Sequence, residues 1–173
     1  MTQHLARIVS LLCTVWLIVA PVGALYLLLD HAAFTTMVRA EQQLPVQWHT
    51  VGTSQLYVVW LLAVIDVGLG TLGILFLRRA FQSFARGEWF DESNSRDLRR
   101  YAALLVAQAL ARPIVGALTS VVLSLNHPPG ERMLSLTFGS NELWYLLAGF
   151  VTWVLADLLV RGASADRENR QFV

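Results

Sequence analysis

Asp66, Gln108 and Arg112 are strongly polar side chains lying in the middle of long apolar runs. A carboxylate in such a place can take up and release a proton, and a guanidinium beside it can tune that proton or hold an anion. An unpaired charge at the centre of a bilayer costs about 2.5–3.5 kcal/mol on insertion scales, so the two charges are expected to pair. Ala63, Asp66, Gly70 and Gly73 share one helical stripe, and Gln108, Arg112, Gly116 and Thr119 form a matching one. On neighbouring antiparallel helices the two charges would meet at similar depth, with small residues letting the backbones approach. Gln108, one turn from Arg112, is placed to donate a second hydrogen bond to Asp66. Read structurally, this intramembrane polar pair fixes helix register; read functionally, it lines a path. Ala103, Ala107 and Ala111 make a further small-residue stripe suited to packing on another helix.

Other chemistry-bearing patterns dissolve on inspection. Gly68-Leu-Gly-Thr-Leu-Gly73 spells a dinucleotide fingerprint, but it sits inside an apolar run with no preceding strand, so helix packing is the expected reading. His4, His31, His49 and His127 match no metal-ligand spacing, and a weak outer site of His31 and His49 with Asp30 and Glu41 is the alternative to solvated loop histidines. Cys13 is the single cysteine, which excludes an internal disulfide and a cysteine-based metal cluster. No Ser-His-Asp order, carboxylate cleft or Walker loop stands out. The expectation is a chain with no catalytic residue, no cofactor and no metal.

The elements that must position the polar residues are four apolar runs, at about 8–29, 56–77, 101–125 and 143–160. Each is near the ~20 residues that a helix needs to cross ~30 Å of hydrocarbon. A hydrophobic fraction of 55% and a mean hydropathy of +0.53 over 173 residues leave room for one membrane domain and little else. The formal charge of +1 gives no handle on nucleic acid. The distribution is more telling. All 13 basic residues are arginine. Arg7, Arg78, Arg79, Arg86, Arg96, Arg99, Arg100, Arg161, Arg167 and Arg170 fall on one side, and only Arg39 and Arg132 on the other. The positive-inside rule then puts both termini and the central loop, 78–100, in the cytoplasm. The first run continues past the peptidase-like Val22-Gly-Ala24, so it reads as a retained span rather than a signal peptide.

Between the runs, 30–54 reads as a polar outer loop. The second outer loop opens with the turn signal Asn126-His-Pro-Pro-Gly130, and Met133–Phe138 alternates like a short strand, giving either a hairpin cap or an unstructured loop. Tyr26, Tyr57, Trp60, Trp144 and Tyr145 fall at one membrane boundary; Phe81, Phe84, Trp89, Phe90 and Tyr101 fall at the other. Trp89 and Phe90 alternatively form a docking patch. The second long helix is expected to stop at Gly87, a residue suited to a left-handed C-terminal position, and Ser93 or Asn94 to cap the next, with Asp97 in its first turn. Asp157 is expected to pair with Arg161 at i, i+4 spacing.

The stretch Phe84-Ala-Arg-Gly-Glu-Trp-Phe-Asp-Glu-Ser-Asn94 between two spans, followed by Leu98-Arg-Arg, resembles the bacterial membrane family known as domain of unknown function 2975. That family carries a Phe-x-x-Gly-Glu-x-Phe-x-x-x-Asn signature, here Phe84, Gly87, Glu88, Phe90 and Asn94. The polar tail 163–173 closes on valine as family tails do, though it reads Asn-Arg-Gln-Phe-Val where Leu-Thr-Val is more usual. The resemblance implies a small four-helix inner-membrane protein whose genes often lie beside a helix-turn-helix regulator. It supplies no catalytic residue.

Together these readings predict an all-α integral membrane bundle of four antiparallel helices, N-in and C-in, in a bacterial inner membrane. The expected function is a non-enzymatic regulatory or interaction protein that meets the lipid bilayer and a membrane or cytoplasmic protein partner through its central loop and tail. A small homo-oligomeric transporter or channel using Asp66 and Arg112 is the alternative.

Overall fold

The structure is a computed structural model describing residues 2–42, 46–89, 91–128 and 130–171, the side chains of 2, 42, 163 and 165–171 excepted. Five helices follow one another: α1 (Thr2–Leu29), α2 (His31–Gln42), α3 (Thr53–Arg86), α4 (Glu92–Ser124) and α5 (Ser140–Gln171), with a 3-10 turn at Trp48–Thr50. No strand occurs among the described residues. All but α2 are long and apolar enough to cross a membrane. Their outward faces are apolar too, with Leu11, Ile18, Leu61, Leu110 and Phe150 all more than half exposed. Water would not tolerate so continuous an apolar surface, which marks the chain as a membrane protein.

The helices outrun the apolar stretches that announce them. At 34 and 33 residues, α3 and α4 are far longer than a bilayer's hydrocarbon requires. In the span expected as a central loop, 78–100, the described residues are helical except for 87–89 and 91. Packing explains the extension: Ala80 and Phe84 of α3 and Leu98 of α4 form a buried core with Ala6 of α1 and Ala156 of α5. Arginines flank this core, and we call it the Arg-rich end.

α1 packs on α3, α3 on α4, and α4 on α5. The α4–α5 seam is close because of Gly149: a Cβ there would lie 2.9 Å from Val106 Cγ2 and 3.2 Å from the Ala102 carbonyl oxygen. This seam uses Ala102, Leu105 and Val106, whereas Ala103 and Ala107 of the expected stripe face outward. Asp157 likewise finds its partner across the seam. Its ion pair is with Arg99 of α4 at 2.7 Å rather than with Arg161, because the neighbouring helix brings a guanidinium closer than the next turn does.

The turn between α3 and α4 accounts for the signature residues. Gly87 is left-handed at φ +88°, a conformation that costs a side-chain-bearing residue about 1–2 kcal/mol. Its N–H donates to the Phe84 carbonyl and the Glu88 N–H to that of Ser83, closing the helix end with paired bonds. Ser83 Oγ and the Arg86 guanidinium donate to Glu88 Oε2, and Asn94 Nδ2 donates to the Glu88 carbonyl at 2.6 Å. Phe84 is buried, and Trp89 stacks on it at 5.0 Å instead of standing free as a docking patch. The α4 N-cap is Asp91, not Ser93 or Asn94: its carboxylate accepts from the Ser93 N–H and hydroxyl, which draws the helix start forward. Asp97 therefore lies beyond the first turn, which Glu92 occupies. Phe90 lies outside the described residues.

Candidate functional site

The opposite end carries the cavity. Its roof is α2, in a region whose sequence reads as loop because it has no apolar run. Asp30 starts the helix by accepting from the Ala33 N–H, while the Tyr26 hydroxyl donates to its other oxygen. The Ala33 N–H, and then Tyr26, hold the Asp30 carboxyl below the ordinary aspartate value. Phe34, Val38 and Glu41 recur at i, i+4, i+7. The first two are buried with Val46, Val59 and Leu123, pressing α2 against α3 and α4.

The second wall is residues 131–139, which form neither helix nor strand. Their backbone bonds go to a helix instead: the Met133 N–H donates to Ser124 Oγ at 3.0 Å and the Ser135 N–H to Ser120 Oγ at 2.9 Å. Two extended residues advance ~6.6–6.8 Å and four helical residues ~6.0 Å, so alternate N–H groups keep step with serines spaced i, i+4. One turn further along this row stands Gly116, which has no hydroxyl to offer, and there the space opens.

The cavity holds about 400 Å³, within the range of small-molecule pockets. Phe34, Met37, Val59, Val67 and Val115 make its walls apolar, and Glu41, Asp66, Arg112, Asn141, Glu142 and Thr119 bring polar groups into it. Three carboxylates face one guanidinium, a formal excess of two negative charges. Thr119 is only 4% exposed, yet its hydroxyl makes no hydrogen bond among the described residues.

Asp66 and Arg112 do share this cavity, but not as an ion pair. Arg112 is paired with Glu41 at 3.5 Å and Glu142 at 3.8 Å, and lies over the Tyr145 ring at 5.3 Å. α2 and the start of α5 bring these acids to it from outside the apolar runs, and they take the guanidinium. Asp66 is bound by Gln108, whose Nε2 donates to its Oδ1 at 3.1 Å and to its backbone carbonyl at 3.2 Å. Gln108 also lies against Gly70, and further along α3 Gly73 packs on Tyr101. The glycine-rich stretch thus serves helix contact. No family model, curated protein or solved structure matches this chain.

Glu142, Ser120 and Ser124 escape a sequence reading centred on apolar runs, while Thr119 enters it only as a stripe neighbour and Glu41 only as a candidate metal ligand. A signal for two of them was there: serines at i, i+4 followed by the alternating segment 133–138. Glu142 had another, since it stands three residues after Gly139 and its Oε2 accepts the Gly139 N–H at 2.7 Å, as an acid at N3 does. His31 hydrogen-bonds Tyr57, and buried His127 accepts from the Gln47 N–H, so both join the scaffold around the cavity.

Proposed function

We propose that this chain is a non-enzymatic regulatory or interaction protein of a bacterial inner membrane whose outer half binds a small cationic ligand. In this reading four antiparallel helices span the membrane, and both termini and the α3–α4 turn lie in the cytoplasm. The arginine asymmetry supports the orientation, and the resemblance to domain of unknown function 2975 supports the setting. The observation that carries the function is the cavity itself: a ligand-sized space with excess negative charge beneath α2, in which Gln108 holds the Asp66 carboxylate and two further acids hold Arg112. The apolar walls select a cation with an organic body over a bare metal ion. The cytoplasmic contact surface would be the α3–α4 turn and the end of α5, which runs on past its apolar stretch to Gln171.

The test uses two ions of one shape and opposite charge, tetraphenylphosphonium and tetraphenylborate, with the protein in nanodiscs. The cation is expected to raise the unfolding temperature and the anion to leave it unchanged, with the gain lost in Asp66→Asn and Glu142→Gln. Preference for the anion would mean that Arg112 governs the site and would overturn the reading. A transporter is the second reading, favoured by one observation: Gln108 ties the cavity carboxylate of Asp66 directly to α4, so occupancy bears on the α3–α4 contact. It predicts flux of the same cation in liposomes, abolished by Asp66→Asn.

A further inference from the structure

A second built space lies at the Arg-rich end, in the groove between α1 and α3. Arg7, Ser10, Leu11, Gln82, Ala85 and Arg86 line it, an open groove of about 480 Å³, and none of them belongs to the cavity under α2. Helical spacing brings them together: 7, 10 and 11 form one turn of α1, and 82, 85 and 86 one turn of α3. Their polar groups are unspent. Arg7, Ser10 and Gln82 make no side-chain hydrogen bond or ion pair among the described residues, although Ser10 is only 9% exposed. Arg86 gives Nε and Nη2 to Glu88 and keeps Nη1 free. One turn before Gln82, on the same face, Arg78 Nε is buried without a partner. Two guanidinium groups against the single Glu88 carboxylate leave the groove positive.

Unsatisfied donors converging from two helices call for an acceptor with several oxygens and negative charge, which describes a phosphate. The apolar side of the groove decides where that phosphate comes from. Leu11 continues into Val15, Ile18 and Val22 at i+4, i+7 and i+11, all more than half exposed, a stripe along which an acyl chain would lie. We propose that this groove binds an anionic phospholipid, its phosphate held by Arg7, Arg86, Ser10 and Gln82 and one chain along the α1 stripe. Loose snorkelling of arginines toward headgroups needs no buried serine and no second helix; this groove supplies both.

Native mass spectrometry of the delipidated full-length protein tests it, with an equimolar mixture of phosphatidylglycerol and phosphatidylcholine of the same chain length. Phosphatidylglycerol is expected to be retained about tenfold more strongly, with about fivefold of that lost in Arg7→Gln, the worth of one arginine near an anionic surface. Ser10→Ala should lower retention further, and Arg96→Gln, which removes an exposed arginine of the same end outside the groove, should not. Equal retention of the two lipids by the wild type would overturn the proposal. So would equal losses in Arg7→Gln and Arg96→Gln, which would reveal diffuse surface attraction. Complete displacement by millimolar inorganic phosphate would overturn the lipid as source, because a free anion would then use the donors without the stripe.

Discussion

At the Arg-rich end, residues 87–91 are all that separates α3 from α4, and almost every bond in the turn joins residues within six positions of each other. At the α2 end the connections are long, and the polar bonds reach across the chain. Gln55 donates to the Val122 carbonyl, Asn126 to that of Thr50, the Gln47 N–H to His127, and Gln47 Nε2 to Glu131. The difference shows in what each end encloses. Beside the short turn, small residues such as Ala6, Ala80 and Ala156 close into a packed core. Long connections held by side chains act as struts, and struts leave room. The α3–α4 turn is thus closed by bonds between near neighbours, its open space set aside in the α1–α3 groove, whereas the cavity beneath α2 is framed by residues that must find each other from far apart.

The largest expected effect lies in the packed helices. Gly149→Leu forces a side chain into the α4–α5 seam against Val106 and a backbone carbonyl. Overpacking of this kind costs about 1–3 kcal/mol, and the backbone contact puts this case at the upper end. Unfolding in detergent, followed by circular dichroism, should show the loss as a global shift. An unchanged midpoint would mean that the seam yields and that the contrast between the ends is false.

A smaller and local effect is expected at the α2 end. Ser120→Ala removes the acceptor of the Ser135 N–H, and an orphaned buried donor costs about 1–3 kcal/mol. Residue 135 is only partly buried, so about 1 kcal/mol is expected, felt by one segment. Hydrogen exchange should quicken over 131–139 while 83–94 stays protected. If exchange quickened equally at both ends, the two would be one cooperative unit.

The same contrast governs what was legible in the sequence. Hydropathy locates four spans, and the left-handed preference of glycine locates the end of α3 at Gly87. The stripes also bring Gln108 to Asp66. What hydropathy misses is every feature made by residues far apart or outside apolar runs. α2 is amphipathic and short, so it reads as loop until Val59 and Leu123 give its Phe34 and Val38 something to cover. Arg112 and Asp66 lie at matching depth, but depth alone does not choose a partner, and Glu41 and Glu142 arrive from segments whose approach no periodicity encodes. Asp157 repeats the lesson, since a helical spacing rule offers Arg161 and the neighbouring helix supplies Arg99.

Acid offers the gentlest way to separate the two ends. In the turn, the Arg86 guanidinium and then the Ser83 hydroxyl hold the Glu88 carboxyl below its ordinary value, and the Ser93 contacts do the same for Asp91. At the other end Asp30 is held low by the start of α2. Each folded value is depressed, so the folded chain binds fewer protons than the unfolded one on acidification. The contribution is therefore present above the ordinary carboxylate range, ~3.9–4.3, and is lost as pH falls through the folded values. These groups are exposed, so the effect is small and weakens with salt. Glu88→Gln should weaken the acid dependence of exchange over 83–94, leaving the share of Asp91, and leave that of 30–42 as it was; Asp30→Asn should do the reverse. If either substitution flattened both, acid would be acting on the whole fold, and the two ends would not be the separate structures that their bonding describes.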